Sequence, residues 1–159
     1  MKEKILFMLI PSIIFFILVS INSIGVSFAQ EICSLTVSNN LDFLPLNPGE
    51  ISQDTTTVLT NHGNLEITDI RISATDWSTT FPASQSHYSL LSDQDYQTGM
   101  RAVPTSPSDE SIGEPTPPFL LAVENTQSVY FKLKIPDNQP AGDYSQTITF
   151  TFGCGVDGV

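Results

Sequence analysis

The chain has few basic side chains. Six Lys and Arg stand against 17 Asp and Glu in 159 residues, a formal net charge of −11. Beyond residue 29 the bases are Arg71, Arg101, Lys132 and Lys134. Nucleic-acid binding needs clustered Lys and Arg to replace phosphate counterions, so that class is excluded. Docking of the acidic part on an anionic membrane surface is excluded for the same reason. Histidine is equally scarce. His62 and His87 are far apart, and no His-Glu-x-x-His pair exists to hold a catalytic zinc. The chain also lacks a Gly-x-Ser-x-Gly elbow and a Gly-rich phosphate loop. It carries no Asn-x-Ser/Thr sequon, so ordinary N-glycosylation is not expected. These absences point to a protein that is not an enzyme and needs no cofactor.

A sustained helical period is missing beyond residue 29. Before it, Met1-Lys2-Glu3-Lys4 leads into an apolar run over residues 5–19, broken by Pro11 and Ser12. A more polar stretch follows and ends in Ser27-Phe28-Ala29. Basic start, apolar centre and small residues at a cut site are the layout of a secretory signal peptide. Residues 1–29 are read as that signal helix. Residues 5–28 are also long enough to span a bilayer, so an uncleaved anchor is the rival. Either reading puts residues 30–159 outside the cytoplasm as one domain.

That domain reads as strands, because Thr, Val, Ile, Phe and Tyr recur with a two-residue period. Cys33, Leu35 and Val37 alternate with Ser34, Thr36 and Ser38. Residues 41–49 hold Pro45 and Pro48 and form an extended crossing. Residues 55–60 are a polar strand, and Asn61-His62-Gly63-Asn64 reads as a hairpin turn. In residues 65–75 the apolar phase moves from Leu65 and Ile67 to Ile70, Ile72 and Ala74, which predicts a bulge near Thr68-Asp69. Trp77 closes this strand and belongs to the core. Short strands are expected at residues 88–91 and 100–103. Val129, Phe131, Leu133 and Ile135 mark another strand, stopped by Pro136. Tyr144 introduces the last strand, where Ile148, Phe150 and Phe152 alternate with Thr147, Thr149 and Thr151. About seven short strands with turns between them predict an all-β, Ig-like antiparallel sandwich.

Cys33 and Cys154 share faces with core residues of the first and last strands. In an exported chain two such cysteines form a disulfide. Buried free thiols or a redox pair are the alternatives, but no Cys-x-x-Cys spacing supports redox chemistry.

Residues 92–118 read as a long surface loop with five prolines and five acids. Asp93, Asp95, Asp109, Glu110 and Glu114 are the candidate calcium ligands. The loop is not an EF-hand: Gly99 falls one place late, and Pro104 stands where the bidentate Glu belongs. Trp77, Tyr88 and Tyr96 are the candidate stacking residues for a glycan.

Two stretches resemble a known family. Leu41-Asp42-Phe43, Leu46-Asn47-Pro48-Gly49 and Leu59-Thr60-Asn61-His62-Gly63-Asn64 resemble the opening of secreted Ig-like β-sandwiches. Ile135-Pro136, then Pro140-Ala141-Gly142-x-Tyr144-Ser145-x-Thr147-Ile148-Thr149-Phe150, is similar to their close. The layout is similar to small extracellular archaeal sandwich proteins and, more distantly, to the TasA/camelysin biofilm-fibre group. That resemblance implies a cell-surface or extracellular-matrix role. The expected protein is therefore exported and structural or interaction-based, with other surface proteins or further copies of itself as partners. A calcium- or glycan-binding module built on residues 92–118 and a fibre subunit are the alternatives. Membrane attachment is expected only through an uncleaved N-terminal segment.

Overall fold

The computed structural model describes residues 30–38, 40–106, 111–113 and 119–155. The expected signal segment 1–29 and the candidates Asp109, Glu110 and Glu114 lie outside them. Where branched and aromatic residues alternate with polar ones, the chain is extended. The strands are β1 (Leu35–Ser38), β2 (Thr55–Asn61), β3 (Ile67–Ala74), β4 (Ser86–Ser89), β5 (Arg101–Ala102), β6 (Thr126–Leu133) and β7 (Ile148–Cys154). One 3₁₀ turn, Ala83–Gln85, is the helical element among the described residues.

The strands form two sheets. Five of them run in the order β1-β2-β6-β4-β5, and the second sheet is β3-β7. Every pairing is antiparallel. The inward residues Leu59, Val129, Phe131 and Tyr88 of the first sheet share a core with Ile70, Ile72 and Ala74 of the second. Burying an aliphatic or aromatic side chain of this size contributes about 1.5–3 kcal/mol. The chain is thus an all-β antiparallel sandwich of seven strands, Ig-like in architecture.

The expected hairpin at Asn61-His62-Gly63-Asn64 is a sheet-to-sheet crossing instead. β2 belongs to the first sheet and β3 to the second. Asn61 holds this corner. Its Nδ2 donates to the Leu65 carbonyl at 2.8 Å and to the Leu121 carbonyl at 3.0 Å, while its Oδ1 accepts from Gly63 N at 2.9 Å. Asn61 is fully buried, so its satisfied amide offsets the cost of burying a polar group. Gly63 has no space for a side chain, because a Cβ would collide with the Ile32 carbonyl.

The phase change in β3 is a bulge, as the apolar pattern predicts. The β3–β7 register shifts between Thr68 and Arg71. Asp69 between them sits in the left-handed region at φ 51°, which Asp tolerates better than most residues. The Ile70 carbonyl at the bulge accepts from Ile112 N at 2.7 Å and Ser111 Oγ at 3.0 Å.

That bond corrects the reading of 92–118 as a surface loop throughout. Val103 and Ile112 are fully buried, and both belong to the core. Isolated apolar residues in a Pro-rich stretch carry no period, so their burial was not legible locally.

Cys33 and Cys154 form a disulfide, with Cα atoms 6.0 Å apart. It joins the lead-in to β1, in the first sheet, to the end of β7, in the second.

Candidate functional site

The period-2 pattern places Val37 and Phe152 on inward faces, yet Val37 is 47% and Phe152 38% exposed. The cause is the width of the second sheet. With two strands, it leaves β7 at an edge, and the described residues cover the inner side chains of β7 only in part. Ile148 and Phe150 are likewise only partly buried. An open groove of about 790 Å³ results between residues 41–48 and residues 139–150.

Aromatic side chains on its walls pack on one another. Trp77 stacks on Phe81 with centroids 5.4 Å apart, and Phe43 meets Trp77 edge-on at 6.1 Å. Tyr144 meets Phe81 edge-on at 5.7 Å and donates its hydroxyl to the Pro140 carbonyl at 2.8 Å. Trp77 Nε1 donates to Ser86 Oγ at 3.0 Å, and Ser86 Oγ in turn donates to Gln146 Oε1 at 2.9 Å. The rings are therefore fixed before any ligand arrives, which lowers the ordering cost of binding. Phe43, Trp77 and Tyr144 are the partly exposed rings at the groove, and Phe81 is fully buried beneath them. Asp42 and Asp143 are the charged residues of its lining, which holds no Lys, Arg or His.

The backbone of β7 adds a second feature. Ladder bonds alternate between neighbours in an antiparallel pair. Thr75 N donates to the Thr147 carbonyl and Gly155 N to the Glu66 carbonyl. The odd-numbered residues of β7 therefore bond to β3. Ile148, Phe150 and Phe152 turn their N–H and C=O to the free edge, where the described residues offer no hydrogen-bond partner.

The residues singled out by sequence do not gather. Tyr88 is 4% and Tyr96 7% exposed, so neither presents a ring to a sugar. Tyr88 points into the core from β4. Tyr96 stacks on His87 at 3.9 Å and donates its hydroxyl to the Gln85 carbonyl at 2.8 Å. Burial pushes its phenol up to about 12. Trp77 is drawn into the aromatic cluster with Phe43 and Phe81. Of the three candidate stacking rings, Trp77 alone keeps part of its surface exposed.

Asp95 accepts from Gln97 N, Thr98 N and Thr98 Oγ1 at 2.9–3.0 Å. These bonds, led by the Thr98 hydroxyl, hold its carboxyl below the usual range. Asp93 N donates to Asp54 Oδ2 at 2.7 Å. Among the described residues no three His, Cys, Asp or Glu side chains converge as metal ligands. Among the described acids of this loop, Asp95 caps a turn, and Asp54, which lies outside the loop, fastens it to the sheet through Asp93 N. Lys132 assists: its Nζ donates to the Gln94 carbonyl at 2.6 Å and lies 3.4 Å from Asp54 Oδ1.

The groove itself was missed in the sequence. Its one signal was the apolar phase of Val37, Ile148 and Phe150, which reads the same whether the face is covered or open.

No protein-family model matches the chain, and no curated protein matches it. Among solved structures it is similar to the ASH / PapD-like domain of human CEP192, PapD-like domain 7. The identity is 16% and the TM-score 0.41, over 82% of this chain and 83% of that one.

Proposed function

We propose that the protein is an exported, non-enzymatic β-sandwich that binds another polypeptide along the groove beside β7. One observation carries this reading: an apolar, aromatic-walled groove runs beside an edge strand whose outward backbone groups meet no partner among the described residues. An exposed edge of this kind is a template for strand addition, and natural sandwiches usually blunt it with charge, Pro or a covering segment. β7 itself carries neither charge nor Pro, its sequence being Ile-Thr-Phe-Thr-Phe-Gly-Cys, and no described strand pairs with its outer edge. The Cys33–Cys154 disulfide and the apolar N-terminal run support a location outside the cytosol. A cell-surface or matrix role, including the likeness to biofilm-fibre proteins, rests on the sequence resemblance.

Panning the oxidised full chain against a random short-peptide library tests the proposal. Selected peptides should lose binding to the variants Val37→Lys and Phe152→Lys. Both sites are exposed, so these substitutions should leave the fold in place. Selected peptides indifferent to both variants, or no selected peptides, would overturn the reading.

A further inference from the structure

The groove has a chemistry of its own, and it narrows the partner. We infer that β7 accepts an extended segment with apolar residues at alternate positions and Lys or Arg at its flanks. The inference rests on the groove reading above and goes further, because it fixes backbone pairing, side-chain period and charge.

Pairing comes from the ladder. Ile148, Phe150 and Phe152 offer N–H and C=O groups two residues apart, which is the spacing an added strand meets. Period follows from pairing. An added strand sends every second side chain to the inner face of the sheet, and there it meets the open groove. Ile148 and Phe150 with the rings of Phe43, Trp77 and Tyr144 line that space, and the buried Phe81 supports them. Apolar anchors fit there, and a charged one would lose its hydration.

Charge comes from the lining. Asp42 and Asp143 stand in the groove with no cation beside them in its lining. The whole chain carries −11. A basic flank is drawn to these acids, whereas an acidic segment is repelled. The same field opposes a second copy of this chain, which brings its own −11 and an identical acidic groove.

The test uses the oxidised full chain and three synthetic peptides. The first alternates Val and Thr between Lys pairs. The second replaces the Lys pairs with Glu pairs. The third keeps Lys but carries N-methyl groups on the residues that would pair. Binding is followed by titration, and hydrogen exchange reads the amides of Ile148, Phe150 and Phe152. The Lys peptide should bind and protect those three amides. The Glu and N-methyl peptides should each bind about tenfold more weakly or worse, and added salt should weaken the Lys peptide.

A variant isolates the backbone contribution. Phe152→Pro removes one outward N–H and no β3 bond, a place where an edge strand tolerates Pro. It should lose about tenfold in affinity, while Phe152→Ala, which keeps the N–H, should lose less. Equal binding of Lys and Glu peptides, with the amides protected, would overturn the charge inference and leave the groove reading standing. Binding without protection of β7, or Phe152→Pro equal to the unaltered chain, would overturn strand addition. Failure of every peptide to bind would overturn this partner chemistry. Association of the chain with itself through β7, seen by sedimentation as a concentration-dependent rise in mass, would replace it with a second copy.

Discussion

The imidazole of His87 lies flat on the ring of Tyr96, with centroids 3.9 Å apart and planes 14° from parallel. His87 Nδ1 is also 2.7 Å from the Tyr96 carbonyl oxygen. His87 stands on β4 opposite Lys132 of β6, so this contact brings residues 92–100 down on the outer face of the first sheet. Burial holds the imidazole below its ordinary value, against the hydrogen bonds to the Tyr96 and Ser84 carbonyls.

The sign of the pH effect follows. In the unfolded chain His87 takes a proton near its ordinary value of about 6.5. The native chain takes it only at lower pH. Between the two values the unfolded state holds more protons, so stability falls as pH falls. Urea midpoints should drop between about pH 7.5 and 5.5 in the native sequence and drop less in His87→Gln. Equal slopes in the two proteins would refute the assignment. Glu50 and Asp95 have carboxyls held low by Asn47 and Thr98, so their contributions are lost only at more acid pH.

The Asn61 corner makes a second prediction. Asn61→Ala leaves the Leu65 carbonyl without its donor and Gly63 N without its acceptor, while the Leu121 carbonyl keeps its bond from Ile67 N. The cost is about 1–3 kcal/mol for each buried group left unpaired. Gly63→Ala forces a methyl onto the Ile32 carbonyl and should cost about 1–3 kcal/mol by overpacking. Chemical denaturation of both variants measures this, and Asn61→Asp should not rescue, because a carboxylate donates nothing to the two carbonyls.

Reduction of Cys33–Cys154 frees the ends of a loop spanning 121 positions. Loop-closure entropy puts the loss at no more than about 5 kcal/mol. The denaturant midpoint of the Cys33→Ser/Cys154→Ser double variant should fall accordingly. Hydrogen exchange should open first at the amides of β1 and β7, the two segments that the bond joins.

Asp54 fastens the outer loop to the sheet through Asp93 N and Lys132. Asp54→Ala should raise amide exchange across residues 92–99 and cost about 1–3 kcal/mol, since Lys132 and Asp93 N both lose an acceptor or counter-charge. The amides of β3 should be unaffected, because the loop lies on the opposite sheet. Uniform loosening of both sheets would show instead that Asp54 supports the global fold.

Local periodicity determined much of this protein. Alternation in residues 129–135 and 147–152, the phase slip before Ile70 and the shared faces of the two cysteines gave strands, bulge and disulfide, because a two-residue period fixes which way each side chain points. It could not decide what stands opposite that face. Whether β2 returns beside β3 or crosses to another sheet depends on pairings far apart in sequence. The same limit hid the burial of Ile112, Tyr88 and Tyr96 and the exposure of Val37 and Phe152. Those outcomes were decided by tertiary structure alone, because coverage of an apolar face is a property of its neighbours, and beside β7 the neighbouring strand is absent among the described residues.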